Sequence, residues 1–503
     1  MRNKKRSIYF FYFFAFEITL CILISIFLLF HVPKPSIPSQ LISSSILIDI
    51  IKQSIENFSI NNQTDDEKVI FNTYEFPTGK NNENTESSRL IRSLIHDSYE
   101  SYWSKCSTSD YLRPISGGCL NSSGLSFTVI ESLESLYLSE LMDDYKFSTD
   151  FVFNKFTCSS SRFQNFHEMG TRVLGSLIGI YSLTKNHHFI DKAVECADVM
   201  NHAFTNSIPH PLVDGIKQKA KKYSFIDGTF LSESSGFILE YTALSKITGD
   251  PVYSSYVQNY LKCILSLFRA ENSLPSFVSV DKCRSIQKLN KKDDLINIFC
   301  QLNEYTVSFV ANVIRLHLFS PSNLTFEIID FISDLISQNS QLQKDKKHQN
   351  NYLFDSSFCQ LNYLMEKVPK LKSSPFYNNL KNICESITEN NFPVQKSDLS
   401  EWPKIKVKND SFYFDFVPLI GSNFSEKSKN QLKYVNSLNT TMCNSAQCAL
   451  ISQDPIVYDD IMPTELLSKW LKFLYLANSS IIDFSKNNWI INEAGHLIIT
   501  DAI

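Results

Sequence analysis

The spacing of apolar residues constrains the fold of this chain more than any other feature of its sequence. From Ser88 to Ile503, roughly 415 residues, apolar side chains recur mainly at the helical period rather than in alternation. Such spacing gives each segment one apolar face, so the sequence predicts an all-α fold. The predicted helices are Leu125–Leu141, Glu168–Leu183, His188–Phe204, Leu231–Thr248, Val252–Phe268, Glu304–Leu318, Phe326–Gln338, Phe354–Met365 and Thr464–Ala477.

Two consecutive helix pairs resemble each other in how their connections are built. One helix ends in Leu-Thr-Lys-Asn-His-His before Phe189, and another ends in Ile-Thr-Gly-Asp-Pro-Val before Tyr253. The two aromatic residues are 64 positions apart (253 − 189), which accommodates two helices and their loops. Repeated helix pairs form either an open solenoid or a closed αα toroid, and the periodicity fits both.

The N-terminal segment has the composition of a membrane anchor. Residues 1–7 carry four positive charges, and residues 8–32, a run of 25, are apolar or aromatic apart from positions such as Glu17. Such a run can cross a bilayer, and the preceding basic residues favour a cytoplasmic N-terminus. We predict a cytoplasmic tail (1–7), a transmembrane signal anchor (8–32), a flexible lumenal stem (33–90) and a lumenal domain (91–503). A cleaved signal peptide is the alternative.

A lumenal domain would be accessible to N-glycosylation and to disulfide formation. Of the 12 cysteines only Cys21 lies in the predicted span, so the others would meet an oxidising compartment. The net charge of −4, without a basic patch, argues against nucleic acid as a partner. Asn-x-Ser/Thr tripeptides begin at Asn57, Asn62, Asn121, Asn323, Asn409, Asn423, Asn439 and Asn478.

Glu168 and Arg172 are the candidate catalytic pair. They are four residues apart on a predicted helix, so they share one face and Arg172 can orient the carboxylate. Gly175 and Gly179, also four apart, would let the same helix approach a neighbour closely. Taken alone, the spacing fits an ordinary solvated ion pair equally well.

Short motifs on both sides of Glu168 form an ordered set. They are Asp110-Tyr-Leu-Arg-Pro-Ile-Ser116, Gly124-Leu-Ser-Phe-Thr-Val-Ile-Glu-Ser-Leu-Glu-Ser-Leu136, Glu168-x-x-x-Arg172-x-x-Gly175, Phe189-x-x-Lys-Ala193, Ser232-Glu233 with Leu239-Glu-Tyr241, and Thr248-Gly-Asp250. In order and spacing the set resembles the class I α-1,2-mannosidases, glycoside hydrolase family 47, from about His96 to the C-terminus.

The resemblance implies an (αα)7 barrel of paired helices with the active site at its centre. Members of this family remove α-1,2-linked mannose from high-mannose N-glycans with inversion, and a bound Ca²⁺ holds the sugar hydroxyls. Inversion uses one carboxyl as acid and another as base. The resemblance assigns the acid to Glu168 and its orientation to Arg172. It also implies substrate-binding roles for Glu233, Glu304 and Asp355, Ca²⁺ ligation by Asn492 and Glu493, and a disulfide between Cys359 and Cys384.

The same comparison indicates that several catalytic groups are missing. The expected base falls on Leu419, which cannot accept a proton from water, and losing base assistance alone costs about 10²–10⁴-fold in rate. Asn492 replaces a threonine that supplies two oxygens to Ca²⁺, so we expect weaker metal binding, or none. Carboxylates that could substitute are Glu304, Asp293, Asp294 and Asp415. The other replaced positions are Cys300, Ser356, Ser422 and Lys469.

Three functional hypotheses follow. The first is a barrel in the membrane of the endoplasmic reticulum or Golgi that binds high-mannose N-glycans or glycoproteins, with hydrolysis weak or lost. The second is an active, divergent Ca²⁺-dependent mannosidase, and the third is a membrane-tethered helical scaffold that no longer meets sugar. Further disulfides are possible between Cys443 and Cys448 and between Cys106 and Cys119.

Overall fold

Amphipathic helices make up most of the described chain. The structure is a computed structural model. It describes residues 86–160, 162–286, 302, 305–338, 353–355, 357–389, 396–398, 442–443, 446–447, 450–453, 456–458, 460–479, 481 and 489–500. The chain divides into two units, Met1–Asn72 and Thr73–Ile503, and every described residue lies in the second. The predicted tail and anchor, most of the predicted stem, and Leu419, Glu304 and Cys300 therefore lie outside the described residues.

The helices follow one another in the order that the apolar spacing predicts. They are α1 (Glu86–Cys106), α2 (Phe127–Leu138), α3 (Met142–Asn154), α4 (166–184), α5 (His188–Asn201), α6 (Leu231–Ser234), α7 (Ile238–Thr248), α8 (Pro251–Glu271), α9 (Val307–Phe319), α10 (Asn323–Gln338), α11 (Ser357–Met365), α12 (Pro369–Lys372), α13 (Pro375–Glu389) and α14 (466–479). No helix among the described residues is both long and apolar enough to cross a membrane.

The helices pack in pairs, and the first helix of each pair contacts the first helix of the next pair. Helices α2, α4, α7, α9 and α11 contact one another in sequence, and α14 packs on α2. Their partners α3, α5, α8, α10 and α13 pack against them and against each other from outside. Both helices of each pair bury an apolar stripe, and the inner helices are buried almost all round. This arrangement is a curved double layer with a central space.

Short antiparallel strands connect the helices and bring the C-terminus into the central space. They are β1 (Tyr111–Leu112), β2 (Cys119–Leu120), β3 (Gln164–Asn165), β4 (Leu212–Asp214), β5 (Lys219–Lys221), β6 (Thr229–Phe230), β7 (Phe277–Val278), β8 (Leu353–Asp355), β9 (Lys396–Asp398), β10 (Met442–Cys443), β11 (Ala446–Gln447), β12 (Leu450–Gln453), β13 (Ile456–Tyr458), β14 (Trp489–Ile491) and β15 (Leu497–Ile499). The sheets are β3-β4-β5 and the pairs β1-β2, β6-β7, β8-β9, β10-β11, β12-β13 and β14-β15. In the last hairpin Ile491 pairs with Leu497, so its turn, residues 492–496, lies among the inner helices.

Local signals explain where several helices begin and end. The Asp250 side chain accepts a hydrogen bond from Val252 N (2.9 Å), and Pro251 occupies the first turn of α8. Gly249 ends α7 with a φ of 74°, a conformation that glycine adopts without steric cost. Gly249 and Asp250 thus form the Thr-Gly-Asp turn between α7 and α8.

Helix α4 is irregular where it passes the central space. Residues 169–174 wind as a π-helix between Phe166–Glu168 and Gly175–Thr184. A side chain at Gly170 would collide with the carbonyl oxygen of Gly236. One at Gly175 would meet Asn492, and one at Gly179 would meet Glu134. The glycines therefore allow the close approach that their spacing predicts.

Some predicted boundaries were wrong. Phe354 belongs to β8, so α11 begins at Ser357 rather than at Phe354, and it ends at Met365 as predicted. The segment 231–248 is interrupted between α6 and α7 by Ser235, Gly236 and Phe237. The prediction from apolar segments also missed four helices, α1, α3, α12 and α13.

Four disulfides join described cysteines. Cys359–Cys384 links α11 to α13, which confirms the pairing that the family resemblance implied. Cys106–Cys119, one of the two further possibilities, is also present. Cys158–Cys196 and Cys263–Cys283 were not predicted. The possible Cys443–Cys448 pair includes Cys448, which lies outside the described residues.

Candidate active site

A buried arginine fixes the candidate acid at the start of α4. Arg172 Nη1 donates to Glu168 Oε1 at 2.8 Å, while its Nε and Nη2 donate to Glu131 Oε1 and Oε2 at 2.8 and 3.0 Å. The Arg172 and Glu131 side chains are 12% and 3% exposed, whereas Glu168 is 35% exposed. Glu131 therefore supports Arg172 from the buried side, and Arg172 presents Glu168 to the cavity.

Other inward groups hold the same guanidinium. Arg172 Nη2 donates to Thr464 Oγ1 (2.9 Å) and Nη1 to Tyr111 Oη (3.0 Å), and its Cζ lies 3.6 Å from the centroid of the Phe127 ring. Burial raises the pKa of Glu131, but the charge and hydrogen bonds of Arg172 outweigh burial and lower that pKa below its usual value. The buried pair is therefore charged on both sides.

Asn165 and Tyr223 connect Glu168 to Glu233. The Asn165 side chain caps α4 by accepting from Glu168 N (3.0 Å), and its Nδ2 donates to Tyr223 Oη (2.9 Å). Tyr223 Oη donates to Glu233 Oε2 at 2.7 Å. Burial, together with the nearby carboxylate of Glu168, raises the pKa of Glu233 despite the opposing effect of His167. The carboxyl groups of Glu168 and Glu233 thus lie close enough for their charges to interact.

His167 is a site residue that sequence reasoning missed. Its Nε2 lies 3.5 Å from Glu493 Oε1, and Glu493 Oε2 accepts from Asn312 Nδ2 at 3.1 Å. Burial lowers the pKa of His167, but pairing with Glu493 and the proximity of Glu233 raise it to about 9. The histidine is therefore a cation near neutral pH. Its position beside Glu168 in sequence is the signal that could have identified it.

Asn492 is hydrogen-bonded through all of its side-chain polar atoms. Its Nδ2 donates to Thr171 O (2.7 Å) and Glu240 Oε1 (3.0 Å), and its Oδ1 accepts from His496 N (2.8 Å). Its carbonyl oxygen accepts from Gly495 N (3.1 Å). Both oxygens that the resemblance offers to Ca²⁺ thus already bond to main-chain N–H groups, and the amide hydrogens face Glu240.

This donor set does not fit the Ca²⁺ site that the resemblance implies. Ca²⁺ takes six to eight oxygen ligands, and carboxylates are its strongest protein donors. Burial raises the pKa of Glu240 to about 7, despite the hydrogen bond from Asn492. Within the described ranges no three His, Cys, Asp or Glu side chains converge as a metal-binding group.

A second buried acid lies beneath Asn492. Glu134 Oε2 is 2.5 Å from Lys472 Nζ, and Glu134 Oε1 is 3.2 Å from His496 Nδ1, with all three side chains fully buried. Lys472 also donates to Gly495 O (2.8 Å) and so supports the turn that carries Asn492. Burial raises the pKa of Glu134, but Lys472 and His496 outweigh burial and lower it. This pair is structural, because no part of it reaches solvent.

The remaining predicted positions contribute little to the described geometry. The backbone of Asp355 lies in β8, and Lys469 is half-buried in the first part of α14. Glu304 and the base position Leu419, with Ser356, Ser422, Cys300, Asp293, Asp294 and Asp415, lie outside the described residues. The structure thus brings together Glu168, Arg172, Glu233, Asn492 and Glu493.

Comparison with known proteins identifies the family. The sequence profile of glycosyl hydrolase family 47 matches residues 94–399, which is 306 of 503 residues (399 − 94 + 1). The chain is 26% identical over 189 residues to mannosyl-oligosaccharide 1,2-alpha-mannosidase mans-2 of Caenorhabditis elegans, covering 36% of this chain and 32% of that protein. It is 28% identical over 201 residues to mannosyl-oligosaccharide 1,2-alpha-mannosidase MNS1 of Arabidopsis thaliana, covering 38% and 35%. The chain thus spans about a third of the length of these curated relatives.

A solved structure shows the same fold. The alpha-1,2-mannosidase from Trichoderma reesei superposes with a TM-score of 0.65 at 14% identity, covering 82% of this chain and 99% of that chain. This match confirms the predicted (αα)7 barrel, in which α2, α4, α7, α9 and α11 are inner helices. Because the family profile matches more than half of the sequence, the chain belongs to glycosyl hydrolase family 47.

Proposed function

We propose that this protein binds high-mannose N-glycans of glycoproteins in the secretory pathway, and that its hydrolytic activity is weak or lost. The observation that carries the proposal is Glu168, which is partly exposed to the cavity and held by Arg172, which Glu131 in turn supports. A helical scaffold without a ligand would gain nothing from a partly exposed carboxyl group held by a buried arginine. The carboxylates of Glu168 and Glu233 can accept hydrogen bonds from sugar hydroxyls.

The proposed weakness of hydrolysis follows from the sequence on the base side. In an inverting reaction the acid protonates the leaving oxygen while a base on the opposite side activates water. Glu168 can serve the first step, because Arg172 fixes its direction. The resemblance to the family implies Leu419 at the base position, and leucine has no group that removes a proton from water. His167 does not replace that base, because its raised pKa keeps it protonated.

We further propose that the protein does not depend on Ca²⁺ and that it lies in the endoplasmic reticulum or Golgi membrane. The hydrogen bonds of Asn492 support the first part, since each of its two oxygens already accepts a main-chain N–H and so has one lone pair fewer for a metal. The apolar run 8–32 and its basic flank support the second as a single-pass type II anchor. One relative is named an endoplasmic reticulum mannosyl-oligosaccharide 1,2-alpha-mannosidase, from Rattus norvegicus.

The test combines glycan binding with mannose release by the purified full chain. A labelled high-mannose oligosaccharide is titrated with wild type, Glu168→Ala and Glu195→Ala, and free mannose is assayed in parallel. Glu195 is the matched control, because it is a 41% exposed acid on α5 that pairs with Lys192. We expect binding to weaken at least about tenfold in Glu168→Ala only, since hydrogen bonds to charged groups are worth about 1.5–3 kcal/mol.

Each alternative function has its own outcome in this experiment. Efficient mannose release that disappears in Glu168→Ala would show an active mannosidase and overturn the proposed loss of hydrolysis. Absence of binding by the wild-type chain would overturn the glycan-binding proposal and favour the scaffold. Binding abolished by a chelator would contradict the proposed independence from Ca²⁺.

A further inference from the structure

A stack of aromatic rings with one exposed member lies next to the acid cluster. Phe225 is 63% exposed, yet its ring stacks on Tyr223 with centroids 5.1 Å apart and planes 13° from parallel. Phe230 lies 5.9 Å from Tyr223 and itself stacks on Tyr305 at 5.1 Å and 16°. We call these four residues, Tyr223, Phe225, Phe230 and Tyr305, the aromatic ledge. Tyr223, Phe230 and Tyr305 are half-buried, so the ledge offers one accessible ring, Phe225, that the other three support.

The ledge is joined directly to the candidate active site. Tyr223 presents its ring face to Phe225, and its hydroxyl donates to Glu233 Oε2 at 2.7 Å. The same hydroxyl accepts from Asn165, whose side chain caps the helix turn that carries Glu168. A ligand held by the two carboxylates would therefore have the ledge as its neighbour on one side.

The surroundings of the ledge favour a polar ligand with one apolar face. Lys222 Nζ lies 2.6 Å from Asp227 Oδ1 and also contacts Asp281, so charged pairs border the rings. A lipid surface or a wholly apolar peptide would have to desolvate those charges at considerable cost. A pyranose ring has a C–H face that packs on an aromatic face and a rim of hydroxyls that hydrogen-bond to nearby acids. Binding sites of this kind combine apolar and aromatic walls with a few placed polar groups.

We propose that the aromatic ledge is a binding subsite for a pyranose ring of the oligosaccharide, adjacent to the sugar held by Glu168 and Glu233. This inference rests on the proposed glycan binding. It adds a site beside Tyr223 whose contribution to affinity depends on the length of the oligosaccharide. Phe225 is its outermost member, so the added affinity is present only when the ligand carries a second ring in reach of that side chain.

The experiment compares two exposed phenylalanines in the full chain. Phe225→Ala removes the outer ring of the ledge, and Phe147→Ala removes a control ring that is 54% exposed on α3. We expect Phe225→Ala to raise the dissociation constant of a labelled high-mannose oligosaccharide about fivefold to tenfold, with Phe147→Ala at the wild-type value. Both side chains are exposed, so the thermal midpoints should stay within the experimental error of wild type.

A fluorescence readout reports contact with the ledge itself. Phe225→Trp should bind the oligosaccharide and change its emission on binding, relative to the wild-type background, whereas Phe147→Trp should not. Unchanged affinity in Phe225→Ala, or an equal loss in Phe147→Ala, would overturn the ledge proposal while leaving glycan binding intact. If the wild-type chain bound no oligosaccharide, the proposed function and this inference would both be overturned.

Discussion

The buried pair of Glu131 and Arg172 gives a quantitative prediction about how the site is supported. Arg172→Gln removes the cation from a carboxylate that is 3% exposed and bonded to it through two hydrogen bonds. An uncompensated buried charge typically costs about 3–5 kcal/mol. We therefore expect the free energy of unfolding to fall by about 4 kcal/mol. At about 2.1 cal/mol/K per residue over about 400 residues, this loss lowers the midpoint temperature by about 5 °C.

The assay is denaturant or thermal unfolding of the full chain, with a double-mutant cycle. Glu131→Gln combined with Arg172→Gln removes both charges, so its loss should be smaller than the sum of the two single losses. Arg269→Gln is the control, because Arg269 and Glu327 form an ion pair at 2.5 Å that is 63% and 45% exposed. Exposed pairs contribute at most about 1 kcal/mol.

The pH dependence of the stability lost in Arg172→Gln provides an independent check of the reasoning. In the wild type the pKa of Glu131 is lowered, so its contribution to stability is present above the unfolded value and is lost as pH falls through the folded value. Without Arg172, burial should instead raise that pKa, and the variant binds a proton more readily. The difference between wild type and Arg172→Gln should therefore shrink on acidification from pH 7 to pH 4. Equal losses for Arg172→Gln and Arg269→Gln, or a difference that grows on acidification, would refute the reasoning.

Three further predictions concern the metal, the helix crossing and the disulfide. Millimolar Ca²⁺ or a chelator should shift the midpoint temperature by less than about 1 °C, because the two oxygens of Asn492 already accept main-chain hydrogen bonds. A midpoint that rises with the logarithm of the Ca²⁺ concentration would contradict this. Gly170→Ala should destabilise the protein by about 1–3 kcal/mol in denaturant unfolding, since the added carbon meets the carbonyl oxygen of Gly236; wild-type stability would contradict the crossing. Replacing both cysteines of the disulfide Cys359–Cys384, separated by 25 residues, should cost about 3.5 kcal/mol in the chain-entropy model, and an unchanged denaturation midpoint would argue against that bond.

Much of the fold was predictable because helical period is a local property of the sequence. The apolar stripes on segments such as 188–204 and 252–268 correspond to α5 and α8, with boundaries displaced by at most three residues. Closure into a barrel was not predictable from periodicity and came from the family resemblance. The strands escaped prediction because most have two or three residues, too few for an alternating pattern to be distinguished from a loop.

The site was predictable only in part, because some of its contacts join residues distant in sequence. Glu168 and Arg172 could be paired from helix geometry, as the observed 2.8 Å contact shows. Arg172 also pairs with Glu131, 41 residues earlier, and nothing in the spacing specifies that contact. The same applies to His167 and Glu493, which meet only because the turn of the β14-β15 hairpin enters the central space.

Three acids in and beneath the candidate site are paired with cations of the protein itself, which supports the proposal that the site does not depend on Ca²⁺. Each of three inward carboxylates has a basic side chain as partner; the pairs are Glu131–Arg172, Glu134–Lys472 and Glu493–His167. Burial raises the pKa of all three acids, but their cationic partners outweigh burial and lower each value below that of a free carboxylate. These three pairs carry no excess negative charge for a divalent ion to neutralise. They still leave Glu168 and Glu233 facing solvent or a ligand, and a neutral molecule rich in hydroxyls can bind to these two acids without disturbing the buried charges.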